Sequence, residues 1–509
     1  MMGPLEVAVT PVVCALDLGS SLIKAALVDE EGTIVAIAKA EAPPVSGDDG
    51  AFDADACWAI ACDTVRTALE RCGVQGQVQG LAMSTQRSCL VLVGPHGHAL
   101  GPAFSWQGIA CSAHASAFFD AFGVDRFRAI TGLLPSPIYA VAKLAHLRHT
   151  DPDRLSAAAR VVLLHDYVVR RLGADDFYTD PSNASASGLM GLDTRSWCDE
   201  ILAALDVPRD RLGRCVDAPT RVGGLDAQSA RATGLPEGLP LFVGGGDQPC
   251  AALGSGAIES GSCVMSLGTA AAVLCPVPAA RPHACPSDGL LRSAHVVPGQ
   301  WVVEGFQPAS GSALQWVGNL VGTRSLQELE SLALDGRTEG LLFFPFLSGI
   351  GSPDFDGAAK GALLGATLAH RKQDLARAAI EGVCMELRRI LESFQQVTPV
   401  ERLLVVGGGS DGTLLMSVLA DVLGRSFDLV GQPEAALLGA AAVAWTGVGR
   451  FGSIESAAKS VRPPVRATVQ PRDTTGIEQR YARYVAGVDA IRALSRAPTD
   501  RHLQAESRP

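Results

Sequence analysis

The stretch Val12-Val-Cys-Ala-Leu-Asp-Leu-Gly-Ser-Ser-Leu-Ile-Lys-Ala-Ala-Leu-Val28 indicates the fold most directly. Two short apolar runs flank a Gly-Ser-Ser turn, and a third run, Thr33 to Ala38, follows the turn Asp29-Glu-Glu-Gly32. This pattern predicts three consecutive antiparallel strands. A helical pattern over residues 53–72 and a strand over 78–84 then indicate an α/β domain.

A single acid, Asp17, interrupts the first of these strands at its end. It precedes a turn whose backbone N–H groups and hydroxyls suit a phosphate cradle with a nearby metal ion. We therefore include Ser20, Ser21 and Lys24 among the candidate nucleotide contacts. An ordinary hairpin is the alternative interpretation of this short pattern.

The same design recurs in the second half of the chain, in Ser262-Cys-Val-Met-Ser-Leu-Gly-Thr-Ala-Ala-Ala-Val-Leu274. Strand, Leu-Gly-Ser/Thr turn and strand occur at Leu18 and again at Leu267, which predicts a duplicated domain. Two hydroxyl-bearing turns could then face each other across a cleft, with Gly268 and Thr269 in the second turn. The phosphates of a nucleotide would fit between them.

The stretch Val243-Gly-Gly-Gly-Asp-Gln-Pro-Cys-Ala-Ala-Leu-Gly-Ser-Gly256 carries one charged residue, Asp247. Glycine lets the backbone turn sharply and lets a ligand approach closely, so an acid on such a turn can reach a bound molecule. A tight turn with a solvated Asp is the alternative.

A third glycine-rich stretch follows Leu403-Leu-Val-Val406, which has the pattern of a buried strand. Gly407-Gly-Gly-Ser410 is a turn without bulky side chains, and residues 413–423 have a helical pattern. This arrangement places free N–H groups beside a flat ligand and makes Gly408, Gly409 and Thr413 candidate nucleotide contacts. The stretch lacks the Gly-x-Gly-x-x-Gly of dinucleotide-binding folds and the Gly-Lys-Ser/Thr of P-loops.

Polar and aromatic residues that follow strand ends are candidate substrate contacts, because open α/β sheets bind ligands there. Ser84-Thr-Gln-Arg-Ser88 and Phe104-Ser-Trp-Gln107 have this position. A surface Arg and a core Trp are the alternatives for Arg87 and Trp106. The candidates for substrate binding are Gln86, Arg87, Trp106, Tyr139, Asp247 and Gln248.

Composition limits the class of protein. With 47% hydrophobic and 19% charged residues the chain has the composition of a soluble globular protein, and its net charge of -11 disfavours nucleic-acid and anionic-membrane partners. No apolar stretch reaches the roughly 18–20 residues that a bilayer span needs. The 13 scattered cysteines fit a reducing compartment. We therefore expect a cytoplasmic protein, for which a homodimer stays an open alternative.

At 509 residues the chain is too long for one hydrophobic core. We predict an N-terminal domain over residues 1–254, which carries the acid of the central glycine stretch, and a C-terminal nucleotide-binding domain over 255–475. Residues 476–509 are predicted to form a helix, from Ile477 to Leu494, followed by a disordered tail.

The order of these motifs resembles the FGGY carbohydrate kinases, two-domain enzymes of the sugar kinase, heat-shock and actin superfamily. The resemblance spans about Val12 to Gly449. It rests on several pieces in order, namely Asp17-Leu-Gly-Ser-Ser, Gln86-Arg87, Thr179-Asp-Pro-Ser-Asn-Ala-Ser, Gly246-Asp-Gln248, Ser266-Leu-Gly-Thr269, Gly361-Ala-Leu-Leu-Gly-Ala-Thr-Leu-Ala-His370, Gly407-Gly-Gly and Glu434-Ala-Ala-Leu-Leu-Gly-Ala.

The resemblance implies an α/β fold of two actin-like (ribonuclease H-like) domains with a catalytic cleft between them. It implies an ATP-dependent kinase acting on a small sugar or polyol, with ATP and Mg²⁺ as cofactors. In this family Asp247 would be the general base and Asp17 would support Mg²⁺. Gly268 and Thr269 would hold phosphates, and the adenosine would contact Gly311, Gln315, Gly408 and Gly409.

The chain also departs from the family. Many members carry Trp-x-Asp-x-Arg beside the sugar site, whereas this chain has Trp106-Gln-Gly-Ile-Ala110, so Gly108 stands in place of the acid. Gln86-Arg87 and Gly349-Ile-Gly-Ser-Pro353 are similar to glycerol kinases, although Ser88 replaces their usual Glu. Leu347-Ser-Gly349 and residues 361–370 are similar to xylulokinases. We expect a pentulose such as xylulose, with glycerol or another polyol as the alternative.

The alternative to an enzyme is a non-catalytic, ATP-binding regulator with an actin-like fold, because fold does not fix function. A DNA-binding regulator would usually add a basic helix-turn-helix, and no such pattern precedes Val12.

Overall fold

The structure, a computed structural model, describes residues 10–72, 77–278, 289–431 and 434–496. Its first half builds one large mixed sheet and three smaller sheets, with helices packed around them. The elements of this half are β1 (Val12–Leu18), β2 (Leu22–Val28), β3 (Ile34–Glu41), β4 (Ala51–Phe52), α1 (Ala54–Cys72), β5 (Val78–Thr85), β6 (Leu90–Val93), β7 (Ala103–Phe104), α2 (Ser112–Phe122), α3 (Val124–Thr131), α4 (Ala140–Thr150), α5 (Pro152–Ala157), β8 (Arg160–Leu163), α6 (Leu164–Leu172), β9 (Tyr178–Thr179), α7 (Pro181–Ala186), β10 (Met190–Gly191), β11 (Ser196–Trp197), α8 (Asp199–Leu205), β12 (Arg214–Cys215), β13 (Arg221–Gly224), α9 (Ala227–Thr233), β14 (Pro240–Gly246) and α10 (Asp247–Gly254).

The second half builds another mixed sheet and a long helix-rich region. Its elements are β15 (Ser262–Leu267), β16 (Ala271–Pro278), β17 (Leu291–Ala294), β18 (Gln300–Gln307), α11 (Gly311–Val321), α12 (Leu326–Ala333), β19 (Leu342–Phe344), β20 (Ala362–Leu364), α13 (Lys372–Phe394), β21 (Arg402–Val406), α14 (Thr413–Leu423), β22 (Phe427–Val430), α15 (Ala435–Gly447), α16 (Ile454–Val461), β23 (Val465–Val469) and α17 (Ile477–Arg496).

The two large sheets share one topology, except that the second has an additional edge strand, β17, beside β18. The first has the strand order β13-β14-β5-β1-β2-β3, and the second has β17-β18-β16-β15-β21-β22-β23. In each sheet a three-stranded antiparallel unit (β1-β2-β3 or β15-β16-β18) is joined by two parallel pairings to two further strands (β5 and β14, or β21 and β22), and an antiparallel edge strand follows. The duplication predicted from the two hairpins is therefore present at the level of whole sheets.

The central strands have the burial that the sequence pattern indicates. Every residue of β1 is buried, including Asp17, as expected for a strand covered on both faces. The helix predicted over residues 53–72 is α1, the glycine-rich turn after β21 leads into α14, and the predicted C-terminal helix is α17. The predicted tail beyond it lies outside the described residues.

The strand at residues 160–163 was not predicted. Residues 118–169 show mainly helical patterning, but Arg160–Leu163 forms β8 and pairs antiparallel with β6 in a smaller sheet of order β4-β7-β6-β8. A four-residue apolar run is too short for periodicity to separate strand from helix. Antiparallel pairing with β6 makes this segment a strand.

The chain crosses back to its first half near the C-terminus. After β22, helix α15 packs against β1, β5 and α10, and the indole Nε1 of Trp445 donates a hydrogen bond to the carbonyl of Asp29 at 2.9 Å. The apolar side chains of α15 and α16 share one core cluster with the first sheet. The chain then returns to the second sheet through β23, which pairs with β22. This return crossing was not predicted from the sequence.

Each cysteine in the described ranges is a free thiol, and most are buried. Within those ranges no helix combines the length and the apolar character that a membrane crossing needs.

Candidate active site

Three parallel strands of the first sheet end at one edge, where several candidate residues lie. In the pairing of β1 with β5, Asp17 is opposite Ser84, and in the pairing of β5 with β14, Thr85 is opposite Gly246. Arg87 follows β5, and Asp247 follows β14 as the first residue of α10. Residues far apart in sequence thus meet at the edge where open α/β sheets bind ligands.

Asp247 is half-buried at this edge and has two close partners. Its Oδ1 accepts a hydrogen bond from the backbone N–H of Gln248 at 2.8 Å and lies 3.3 Å from Nε of Arg87. Desolvation raises the pKa of Asp247, while the positive charge of Arg87 and the N–H of Gln248 oppose that rise. The carboxylate is therefore held in place and has a raised affinity for a proton.

A buried polar loop supports the turn that carries Asp247. The backbone N–H of Gly246 donates a hydrogen bond to Oγ of Ser182 at 2.8 Å. Ser182 lies in the first turn of α7, whose N-terminus is capped by Asp180 through the N–H groups of Ser182 and Asn183. The Thr179 to Ser185 stretch thus fixes the strand end before Asp247 and has a structural role in the site.

Arg87 connects the two halves of the molecule. Its Nη1 and Nη2 donate to the two carboxylate oxygens of Glu304, on β18 of the second sheet, at 2.7 and 2.8 Å. Ser293 on β17 also donates to Glu304. Burial opposes ionisation of Glu304, but the positive charge and hydrogen bonds of Arg87 have a larger combined effect with Ser293. The pKa of Glu304 is therefore lowered. The guanidinium is therefore held by a bidentate pair, the strongest geometry for Arg and carboxylate.

Asp17 lies in a second charged cluster. The ammonium of Lys24 is 3.6 Å from Oδ2 of Asp17 and 3.0 Å from Oε2 of Glu434, which also pairs with Lys39. Burial raises the pKa of Asp17 to about 6, against the opposing charge of Lys24. Oδ1 of Asp17 is buried and has no hydrogen-bond partner among the described residues. This oxygen is available to a cation or a donor that binds at the edge.

Two cavities contain predicted site residues in their linings. The larger has a volume of about 410 Å³ and is lined by the glycine-rich turns of the second half and by α11 and α12. Its lining includes the predicted nucleotide contacts Gly268, Thr269, Gly311, Gln315, Gly408 and Gly409.

The smaller cavity has a volume of about 310 Å³ and is lined from both halves of the chain. Its lining includes the predicted substrate contacts Arg87, Trp106, Tyr139, Asp247 and Gln248, together with Glu304 and Ser293.

The β15–β16 hairpin separates the two cavities. Gly268 and Thr269 in its turn line the larger cavity, whereas Ser266 and Ala270 on either side line the smaller one. A group bound at the turn is therefore next to both cavities, which is the arrangement that transfer between two bound molecules requires.

Comparison with known proteins agrees with this geometry. The model of the FGGY family of carbohydrate kinases, N-terminal domain, matches residues 12–254, and the corresponding C-terminal domain model matches residues 263–447.

The chain belongs to the FGGY family of carbohydrate kinases.

Its relatives are similar along most of the chain. A xylulose kinase from Lactococcus lactis subsp. lactis is 28% identical over 480 residues, covering 92% of this chain and 95% of the relative. A glycerol kinase from Alkalilimnicola ehrlichii is 30% identical over 461 residues, covering 87% and 92%. The solved structure of a xyloylose kinase from Brucella ovis superposes with a TM-score of 0.87 at 26% identity, covering 95% of this chain and 100% of that one. The predicted two-domain fold is confirmed, and this FGGY protein is an ATP-dependent sugar or polyol kinase.

Some predicted site residues of this FGGY kinase lie outside both cavities. Gln86 is buried and its amide donates to the carbonyl of Gly19 at 3.4 Å. Lys24 is held in the cluster with Asp17 and Glu434. The residues Ser20, Ser21 and Thr413 are not among the lining residues of either cavity.

Gly108, where many FGGY kinases have an acid, packs against a neighbouring loop. The N–H groups of Ile109 and Ala110 both donate to the carbonyl of Asp48 at 2.8 Å. A Cβ on Gly108 would overlap the carbonyl oxygen of Asp49, so the acid does not fit this loop packing. Gly108 is also absent from the lining of the smaller cavity. A Gly108→Asp exchange therefore tests loop packing and not an acceptor contact.

Glu304 is the main site residue that sequence reasoning missed. It is a single acid inside the apolar strand Gln300–Gln307, as Asp17 is inside Val12–Leu18. Because a buried charge needs a partner or a function, the same signal that pointed to Asp17 was available for Glu304.

Proposed function

We propose that this kinase transfers the γ-phosphoryl group of ATP to a hydroxyl of a small sugar or polyol bound in the smaller cavity, with Asp247 as general base. The observation that carries the proposal is the β15–β16 turn, which borders both cavities while Asp247 lines the smaller one. Phosphoryl transfer needs positioning, charge neutralisation and a proton acceptor, and needs little covalent chemistry from the protein.

The nucleotide is proposed to occupy the larger cavity. Gly268 and Thr269 would contact its phosphates, because their turn offers backbone N–H groups and a hydroxyl. Gly408 and Gly409 would border the adenosine, together with Gly311 and Gln315 at the start of α11.

Mg²⁺ is proposed to be held at Asp17. Its buried Oδ1 has no partner among the described residues, and Mg²⁺ in kinases is typically bound by one or two carboxylates, waters and substrate phosphates. In the described ranges no group of three or more His, Cys, Asp or Glu side chains is arranged to hold a metal, which agrees with such a sparse protein contribution. When bound, the ion would neutralise charge on the phosphates.

Asp247 would accept the proton of the acceptor hydroxyl as that oxygen attacks. The raised pKa of Asp247 favours proton uptake, while Arg87 at 3.3 Å holds the carboxylate in one orientation. Closure of the two halves around the acceptor would exclude water, which would otherwise take the phosphoryl group.

For the acceptor we propose a pentulose such as xylulose before glycerol or another polyol. The relatives include xylulose kinases and glycerol kinases at similar identity. Residues 361–370 and Leu347-Ser-Gly349 are similar to the xylulokinase pattern and favour the pentulose.

The test is ADP release with a panel of pentuloses, hexuloses, pentitols, tetritols and glycerol, using wild type and Asp247→Asn. Asparagine keeps the size of the side chain and removes its basicity. Turnover should therefore fall by about 10²-fold or more while ATP still binds. Asp210→Asn, at an exposed acid of the same half, should keep wild-type turnover. Equal ADP release with and without every acceptor would contradict the kinase proposal, and near wild-type turnover in Asp247→Asn would remove Asp247 as the base.

A further inference from the structure

The C-terminal helix α17 lies beyond the residues that the two family models match, yet it is built into the second half of the molecule. It packs along α13, where the hydroxyl of Tyr484 donates to Oε2 of Glu386 at 3.0 Å. The ring of Tyr484 stacks on Phe344 with the ring centroids 4.7 Å apart. Tyr484 is fully buried, so α17 is fixed in its position.

Near its end, α17 holds two acids of one loop. Nη1 of Arg492 donates to Oδ1 of Asp354 at 2.5 Å, and Nε of Arg492 lies 3.6 Å from Oδ2 of Asp356. Both acids belong to the β19–β20 loop, residues 345–361, and their side chains are largely buried. Arg389 on α13 also donates to Asp354. Arg492 is therefore the arginine that binds both acids at once.

Phe355, which stands between these two acids, has a strained backbone. Its φ of +49° lies in the left-handed region, which bulky residues rarely adopt. Such a conformation persists only where the surroundings fix it. The N–H of Phe355 donates to the carbonyl of Gly351 at 2.7 Å, and Arg492 holds the residues on both sides. The ion pairs of Arg492 thus stabilise Phe355 in this conformation.

The same loop contacts the smaller cavity through Phe306. The rings of Phe355 and Phe306 pack edge to face with centroids 5.5 Å apart. The N–H of Ser352 donates to the carbonyl of Phe306 at 2.9 Å, and the N–H of Phe306 donates to Oγ of Ser352 at 3.3 Å. Phe306 lines the smaller cavity, as Glu304 of the same strand does. A shift of the loop would therefore move part of the cavity lining.

We propose that Arg492 is a positioning residue for the acceptor, acting through Phe355 on Phe306. Its guanidinium fixes the backbone around Phe355, and the ring of Phe355 holds the ring of Phe306 against the bound acceptor. The larger cavity is lined neither by Phe306 nor by the β19–β20 loop, so the effect is confined to the acceptor. This inference rests on the proposed function, because that function places the acceptor in the smaller cavity.

Steady-state kinetics of Arg492→Gln test the proposal, with ATP, Mg²⁺ and the acceptor that gives the highest kcat/KM in the panel. The KM for the acceptor should rise by about 10-fold or more, since misplacement of a positioning group by about 1 Å can cost up to about 10²-fold. The KM for ATP should stay at the wild-type value. A purely structural role would lower kcat through the fraction of folded enzyme and leave both KM values unchanged.

Two further variants provide the controls. Arg492→Lys keeps the charge and should recover part of the acceptor affinity. Arg483→Gln, at an exposed arginine of the same helix, should keep the wild-type KM for both substrates. Thermal unfolding checks that each variant is folded.

A double-mutant cycle then tests whether Arg492 acts through Phe355. Phe355→Leu removes the ring contact with Phe306 and should also raise the KM for the acceptor. The double variant Arg492→Gln, Phe355→Leu should show no larger rise than the larger of the two single variants, because both changes remove the same contact. Phe355→Leu and Arg492→Lys provide the result if Arg492→Gln does not fold.

The outcomes separate this inference from the proposed function. A wild-type KM for the acceptor in folded Arg492→Gln or Phe355→Leu would overturn the inference and leave the kinase proposal intact. An equal rise in Arg483→Gln, or fully additive rises in the double variant, would also overturn it. ADP release that no acceptor of the panel increases would overturn the kinase proposal and the inference together.

Discussion

Single acids in buried strands or at their ends organise this site. Asp17 and Glu304 interrupt apolar strands, and Asp247 follows one. Each has a different environment: Lys24 beside Asp17, the bidentate Arg87 beside Glu304, and the N-terminus of α10 at Asp247. In the proposed function, these surroundings, and not the residue type, would decide which acid holds a cation, which fixes a partner and which accepts a proton.

A buried histidine gives the molecule a pH-dependent stability. His295 follows β17, is fully buried, and its Nδ1 accepts a hydrogen bond from the N–H of Val297 at 3.0 Å. Burial lowers the pKa of His295 from 6.5 to about 4. The unfolded chain therefore takes up a proton at higher pH than the folded one. The stabilisation is complete above about pH 6.5 and is lost as the pH falls towards 4.

His295→Asn should remove this pH dependence, because an amide oxygen can accept from Val297 and does not titrate. Between pH 7.5 and 4.5 the free energy of unfolding of wild type should fall by about 2–3 kcal/mol more than that of the variant. Urea denaturation at both pH values measures the difference. His96→Asn, at an exposed histidine, is the matched control and should follow wild type. Parallel pH profiles for wild type and His295→Asn would contradict the prediction.

At the scale of elements, the turn after β21 contains two neighbouring glycines with different constraints. A Cβ on Gly409 would lie 2.9 Å from Cβ of Leu267, so a larger residue there disturbs the packing of the β15–β16 hairpin. A Cβ on Gly408 would meet no atom within 4 Å, and Gly408 lines the larger cavity. Gly408 therefore allows a test of the cavity that Gly409 does not.

Gly408→Val should raise the KM for ATP with little loss of stability. Overpacking of a well-fitted site costs about 1–3 kcal/mol, which corresponds to about a 5- to 150-fold rise in KM. Steady-state kinetics with varied ATP measures the rise, and thermal unfolding checks the fold.

Gly452→Val is the matched control, since Gly452 is an exposed glycine with equally open surroundings and is not a lining residue of the larger cavity. It should keep the wild-type KM. An unchanged KM in a folded Gly408→Val enzyme would show that the adenosine does not reach this turn.

At the scale of the whole molecule, several polar contacts join the two halves beside the site. The Arg87–Glu304 pair connects the edge of the first sheet to β18, and the N–H of Ala294 on β17 donates to Oγ of Ser185 on α7 at 2.9 Å. The return of α15 to the first sheet adds an apolar connection. Buried contacts, one of which also positions Arg87, therefore join the two halves beside the site.

Glu304→Gln should destabilise the protein far more than loss of an exposed ion pair. Removal of one partner from a buried pair leaves an uncompensated charge and typically costs about 3–5 kcal/mol. Because glutamine keeps one acceptor oxygen, we expect a loss of about 3 kcal/mol.

The matched control is Glu259→Gln, which removes an exposed ion pair with Lys459. Loss of this pair should lower the free energy of unfolding by about 0–1 kcal/mol. Chemical denaturation of both variants measures the difference. Equal and small losses in the two variants would show that Arg87 does not depend on Glu304.

The sequence by itself determined the features that depend on local pattern. The two hairpins with their Leu-Gly-Ser/Thr turns predicted the duplicated sheets, and the strand, triple glycine and helix at residues 402–423 were predicted in order. The candidates Asp247 and Gly268 could be named because an isolated acid or a hydroxyl-bearing turn stands out against apolar neighbours. Periodicity and turn chemistry act over a few residues, so the sequence displays them directly.

Only the tertiary structure decided the contacts between distant residues. The pairing of Arg87 with Glu304 joins positions 217 residues apart, and the lining of the smaller cavity is assembled from separate loops and strands. The fit of Gly108 against Asp49 and the return of α15 likewise depend on how whole elements pack. Such contacts result from the close packing of side chains across the fold, which local propensity does not encode.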